Sequence, residues 1–112
     1  MNAFAVEQLL AQQAKSNQLY YEFLRRPSLS MGLYVLPTGA TDPQSPHAED
    51  EVYYVLEGQG MITVGDEQQP VKKGSVIFVA KDIVHFFHDI REQLVVLVFF
   101  APAEGTDKQL AE

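Results

Sequence analysis

The chain predicts an all-β fold, a single small barrel of short strands preceded by a short helix. Three observations predict it. Aromatic and β-branched runs recur at intervals of roughly ten residues, each closed by Gly, Pro or Asp. Helical spacing appears only at the N-terminus, where Val6, Leu9, Leu10 and Ala14 share one face. The length, 112 residues, fits one domain with one core and leaves little room for a second.

The elements follow in order. Residues 1–17 form the N-terminal helix or extension, ending in a turn at Lys15-Ser16-Asn17. Residues 18–101 form the barrel, and its first strands are "LYYEFL" (Leu19–Leu24) and "LSMGLYVLP" (Leu29–Pro37). "TGATDPQSP" has two prolines and no periodicity, so it is a loop. "VYYVLEG" is a strand, and "GMITVGDEQQPVKKG" is a hairpin turning near Gly65-Asp66. "SVIFVA" is a strand, "KDIV" a tight connection, "HFFHDI" another strand and "EQLVVLVFFA" the last. The tail, 102–112, is polar and peripheral. "LVVLVFF" does not alternate, so both its faces should be covered. Either the N-terminal segment or a second copy in a homodimer would supply the cover.

Composition removes several function classes. There is no cysteine, which excludes disulfides and thiolate metal sites and makes a reducing cytoplasm the simplest location. The net charge is -7 with only eight Lys and Arg, so no basic footprint for nucleic acid exists. The start, "MNAFAVEQLLAQQ", lacks the charge and apolar core of a signal peptide. The longest apolar run, Leu94–Ala101, is too short to span a bilayer as a helix, so no membrane partner is expected. No nucleophile elbow and no phosphate-binding glycine loop is present.

What remains is histidine and carboxylate chemistry. His47 and Glu51 are an even number of residues apart, so an extended chain points both the same way. Tyr53, Val55 and Glu57 follow on that face, with Val52, Tyr54 and Leu56 opposite. His85 opens another strand and shares its face with Phe87 and Asp89, with Phe86 and His88 opposite. Imidazole and carboxylate are ligands of borderline divalent metals. For His47 and Glu51 alone, a polar strand start is the better reading, and periodicity cannot place His85 beside them.

The stretch Gly39–Asp89 resembles the two motifs of the cupin superfamily. The first family motif is Gly-x5-His-x-His-x3-Glu-x6-Gly. Here Gly39 is followed by "ATDPQ", Ser45, Pro46 and His47, then by "AED", Glu51, "VYYVLE" and Gly58. The second is Gly-x5-Pro-x-Gly-x2-His-x3-Asn. Here Gly74 is followed by "SVIFV", Ala80, Lys81, Asp82, "IV", His85, "FFH" and Asp89. Ser45 stands where the family has its first metal-binding histidine. Ala80, Asp82 and Asp89 replace Pro, Gly and Asn, and Asp82 inherits a position where a positive φ is usual.

The resemblance implies a single cupin β-barrel, a jelly-roll-like double-stranded β-helix. It implies a divalent metal, Fe(II), Mn, Ni, Co or Zn, held by His47, Glu51 and His85. Gln44, Ser45, Tyr53 and Phe87 are then candidates for the pocket or for contacts behind the ligands. Phe78 joins Tyr53 and Phe87 as core or pocket wall, while Tyr20, Tyr21 and Tyr54 are read as sheet packing. His88 is structural or exposed, and the acids around Glu49 are a solvated loop edge. Three functions remain open. One is a metal-dependent, dioxygenase-like enzyme acting on a small organic molecule. The second is a non-catalytic metal- or ligand-binding module. The third is a metal-free, isomerase-like cupin using His85 or His47 as acid or base.

Overall fold

The structure, a computed structural model, describes residues 1–43 and 46–105. Helix α1 spans Val6–Ser16 and ends at Asn17, whose φ of 57° is the left-handed conformation that closes helices. The helix thus takes in Lys15 and Ser16, and only Asn17 turns. Strands β1 (Tyr20–Arg26) and β2 (Leu29–Leu36) form a hairpin, followed by the long connection to β3 (Asp50–Val64). Then come β4 (Glu67–Lys72), β5 (Val76–Val79) and β6 (His85–Ala101). The sheet order is β1-β2-β6-β3-β4, with β5 also on β3, and every pairing is antiparallel.

β3 and β6 are each continuous where the sequence suggested two strands. Both stay paired from Asp50↔Ala101 to Val64↔His85, with register shifts between Val55 and Met61. These bulges bend the pair, so that its two halves close over one core. Gly58 makes the bend possible. Its φ is 101°, and a Cβ there would sit 2.2 Å from the Gln93 carbonyl oxygen. A glycine therefore bends the strand here instead of ending it.

Alternation decides which side chains enter the core. Tyr53, Val55, Leu94, Val96 and Val98 point in and are buried. On the other face, Leu33, Val35 and Val95 pack under Leu9 of α1. The helix packs on β1 and β2, and its buried cluster extends to Val95 on the outer face of β6. Tyr54, Val76 and Phe78 remain 40%, 67% and 61% exposed on the outer face. Phe78 is therefore not a core residue, because the alternation of β5 puts Val79 inward and Phe78 outward, where it lines a surface groove with Val76 and Ile77. Asp89 also departs from simple parity. Its φ of 49° interrupts the alternation, so Asp89 is exposed and Ile90 takes the buried place.

Candidate metal centre

Two strands and one connection converge at the open end of the barrel. Glu51, second residue of β3, is its first inward residue, and His85 is the inward residue that starts β6. His47 lies in the connection before β3. One ligand atom from each of the three lies within 4.8 Å of the others. The connections are tied together here. The Asp82 N–H donates to the His47 carbonyl at 2.7 Å, and the Lys81 N–H donates to Asp50 Oδ1 at 3.0 Å. Asp82 has a φ of 65°, so it adopts the conformation that glycine usually supplies. Asp42 anchors the other part of the connection. It accepts the Tyr34 hydroxyl on Oδ1 and the Phe87 N–H, at 2.8 Å, on Oδ2.

The trio itself is under electrostatic tension. His85 Nδ1 lies 2.8 Å from the Ile83 carbonyl, and a carbonyl can only accept. Nδ1 therefore carries a proton, and in the neutral ring Nε2 presents a lone pair. That Nε2 lies 3.0 Å from Glu51 Oε1, with both side chains 1% exposed. Among the described residues, His85 Nε2 and both Glu51 oxygens are buried without a hydrogen-bond partner; the contact is close but is not a formed bond. Burial alone would lower the His85 pKa. Glu51, the Ile83 carbonyl and the charge of Asp42 outweigh it and raise it above the ordinary value.

A cavity of about 410 Å³ opens beside the trio, and His47, Glu51, Tyr20, Tyr34, Tyr53 and Glu104 contribute to its lining. This volume is within the usual range for small-molecule sites. Phe100 lies edge-on to His47, with ring centroids 4.9 Å apart. Of the pocket candidates, Tyr53 lines the cavity. Phe87 packs behind it, 4.9 Å from the Tyr53 ring. Gln44 and Ser45 lie outside the described residues. His88 is off the site, held between Thr63 at 2.7 Å and Asp89 at 2.9 Å.

Sequence reasoning missed Tyr34 and Phe100 of the lining, and it misplaced three further residues. Tyr20, read as sheet packing, crosses to the inner face of β2 and lines the cavity. Gly32 leaves the space for it, because a Cβ there would lie 2.1 Å from Tyr20 Cζ. Glu49 is buried and accepts the Gly105 N–H at 3.2 Å, so it is no solvated edge. Glu104 comes from the segment after β6, and its Oε2 lies 3.5 Å from His47 Nδ1. Burial and the carboxylates of Glu22, Glu51 and Glu49 push the Glu104 pKa up, against Arg25. Burial had no local signal for any of these. The alternation of β2 around Gly32 was the one available clue to Tyr20.

A six-stranded antiparallel barrel with a His, Glu and His cluster at its mouth is the architecture expected of the cupin class. The cupin-domain family profile matches residues 32–100. The chain is 48% identical over 105 residues to an uncharacterized protein of Streptomyces coelicolor, covering 94% of this chain and 100% of that one. A crystal structure of a Thermus thermophilus protein aligns with TM-score 0.78 and 24% identity, over 92% of this chain and 99% of the other. An RmlC-like cupin of Methanocaldococcus jannaschii with a double-stranded β-helix fold aligns with TM-score 0.70 and 19% identity, over 83% and 84%. The chain belongs to the cupin family, and its fold is the all-β cupin barrel with a short N-terminal helix. No helix among the described residues is long and apolar enough to cross a membrane.

Proposed function

We propose that this cupin holds a divalent metal ion through His47, Glu51 and His85 and acts there on a small organic molecule. One observation carries the reading. A buried carboxylate and a buried imidazole lone pair face each other with no hydrogen bond between them. Two acceptors at 3.0 Å are stable only with a cation between or beside them, either a proton or a metal. His47 brings a third donor to the same point. Two imidazoles and one carboxylate fit Fe(II), Mn, Ni, Co or Zn and leave coordination positions open.

When bound, such an ion supplies Lewis acidity at the cavity floor. The protein's own groups do the rest. The Ile83 carbonyl keeps the His85 proton on Nδ1 and so holds Nε2 as a donor. Tyr20, Tyr34, Tyr53 and Phe100 give the ligand an aromatic wall. Among the described residues the lining holds no lysine or arginine and two glutamates, which favours a neutral ligand over an anionic one. The open two-His, one-carboxylate set favours a dioxygenase-like reaction over a purely structural ion. A homodimer is part of the same proposal, and exposed Tyr54, Val76 and Phe78 form the face a second copy would cover.

Elemental analysis of protein purified without a metal-affinity tag tests the reading, beside His47→Ala and His85→Ala. Near-stoichiometric metal, lost in both variants, is the expected result. Iron with oxygen uptake in the presence of a neutral aromatic supports the oxygenase class. Zinc with nothing consumed supports the binding module. A wild type that takes up no iron, manganese, nickel or zinc would sink the metal reading. Turnover surviving a chelator would assign the acid–base role to His85 or His47.

A further inference from the structure

We propose that Glu104 is a positioning carboxylate of this centre, fixing the His47 ring so that Nε2 faces Glu51 and His85. The inference rests on the metal reading above and extends it to a residue outside both sequence motifs.

The segment after β6 is fastened down by main-chain bonds. The Ala103 N–H donates to the Pro27 carbonyl at 3.4 Å, and the Glu104 N–H donates to Ser30 Oγ at 3.0 Å. Arg25 Nη2 donates to the Glu104 carbonyl at 2.7 Å, and the Gly105 N–H donates to Glu49 Oε2 at 3.2 Å. Ser30, Glu49 and Ala103 are all buried. Four anchors on three successive residues leave the Glu104 side chain as the part projecting into the cavity.

There its Oε2 lies 3.5 Å from His47 Nδ1, an electrostatic contact longer than a formed hydrogen bond. A neutral imidazole carries one N–H, so an acceptor at Nδ1 keeps the proton there and leaves Nε2 to bind an ion. A carboxylate in that role also strengthens the ligand. The two histidines are thus oriented by different means. His85 sits on a strand and is oriented by the Ile83 carbonyl. His47 sits in a connection, where no strand ladder holds it, and Glu104 is the carboxylate at its Nδ1. Glu104 is not among the residues whose ligand atoms lie within 4.8 Å of one another, so it acts through His47.

The test is the affinity for cobalt(II), read by chelator competition and by the visible spectrum of the bound ion. Glu104→Ala should weaken binding about 10- to 100-fold. The melting temperature of the metal-free protein should stay close to wild type, because the anchors are main-chain atoms. Glu104→Gln keeps an acceptor oxygen without the charge and should fall between the two. Cobalt binding by Glu104→Ala equal to wild type would overturn the inference and leave the metal reading intact. A wild type that binds no cobalt would overturn both. Should Glu104→Ala fail to fold, Glu104→Gln decides: wild-type affinity in it overturns the proposal.

Discussion

The two ends of the barrel are built from the same strands and differ in kind. At the bend, Leu36, Val55, Ile90 and Leu94 close an apolar core around the tight approach at Gly58. At the open end, β3 and β6 each carry a buried polar residue near the strand start, Glu51 and His85, and the Glu51 oxygens and His85 Nε2 have no hydrogen-bond partner among the described residues. Apolar burial stabilises the first end. The second end carries a desolvation cost that the first must offset. The open end keeps strained acceptors together, which is the state a cation site needs before the ion arrives.

This contrast can be broken by substitution. Leu94→Ala removes a fully buried side chain at the bend and should cost about 2–5 kcal/mol in urea unfolding. Metal bound per folded chain should not change; loss of metal there would mean that the two ends are not independent. Glu51→Met should act in the opposite sense. It removes a buried carboxylate that has no hydrogen-bond partner among the described residues and should raise metal-free stability by about 1–3 kcal/mol, while metal binding disappears. A destabilised Glu51→Met would show that the carboxylate is satisfied in solution.

The pH dependence sharpens the same comparison. His85 has a folded-state pKa above 6.5, so its protonation stabilises the metal-free fold. That contribution is fully present below pH 6.5 and is lost as pH rises through the raised value. Metal affinity should run the other way and fall with acidification, since proton and ion compete for Nε2. Melting curves with and without metal, taken across this window, should therefore slope in opposite directions. Parallel slopes would remove His85 from the site. The smallest effect is expected from Tyr20→Phe. Its hydroxyl is buried without a partner among the described residues, so stability should change by less than about 1 kcal/mol. A larger loss would reveal a bond that the hydroxyl makes in solution.

Local patterns were legible where the physics is local. Period-two alternation put Glu51, Tyr53 and Val55 on one face, and the buried set agrees. The positive φ at Asp82 followed from the turn chemistry that the motif requires. The same reasoning failed at Asp89, where one left-handed residue shifted the alternation and sent Ile90 inward. It failed at Gly58 too, since a glycine in a strand run can end the strand or bend it. Which of these happens depends on how closely Gln93 approaches from β6.

By itself, then, the sequence determined the strands, their inward faces and two motif histidines with a glutamate at cupin spacing. Those properties depend on neighbours a few residues away. Only the tertiary structure decided that β3 and β6 run unbroken, that Tyr20 reaches the cavity through the space at Gly32, and that Glu104 returns to His47. Each of these joins segments distant along the chain. Their contact depends on how the sheet bends, and no periodicity within a single segment encodes that.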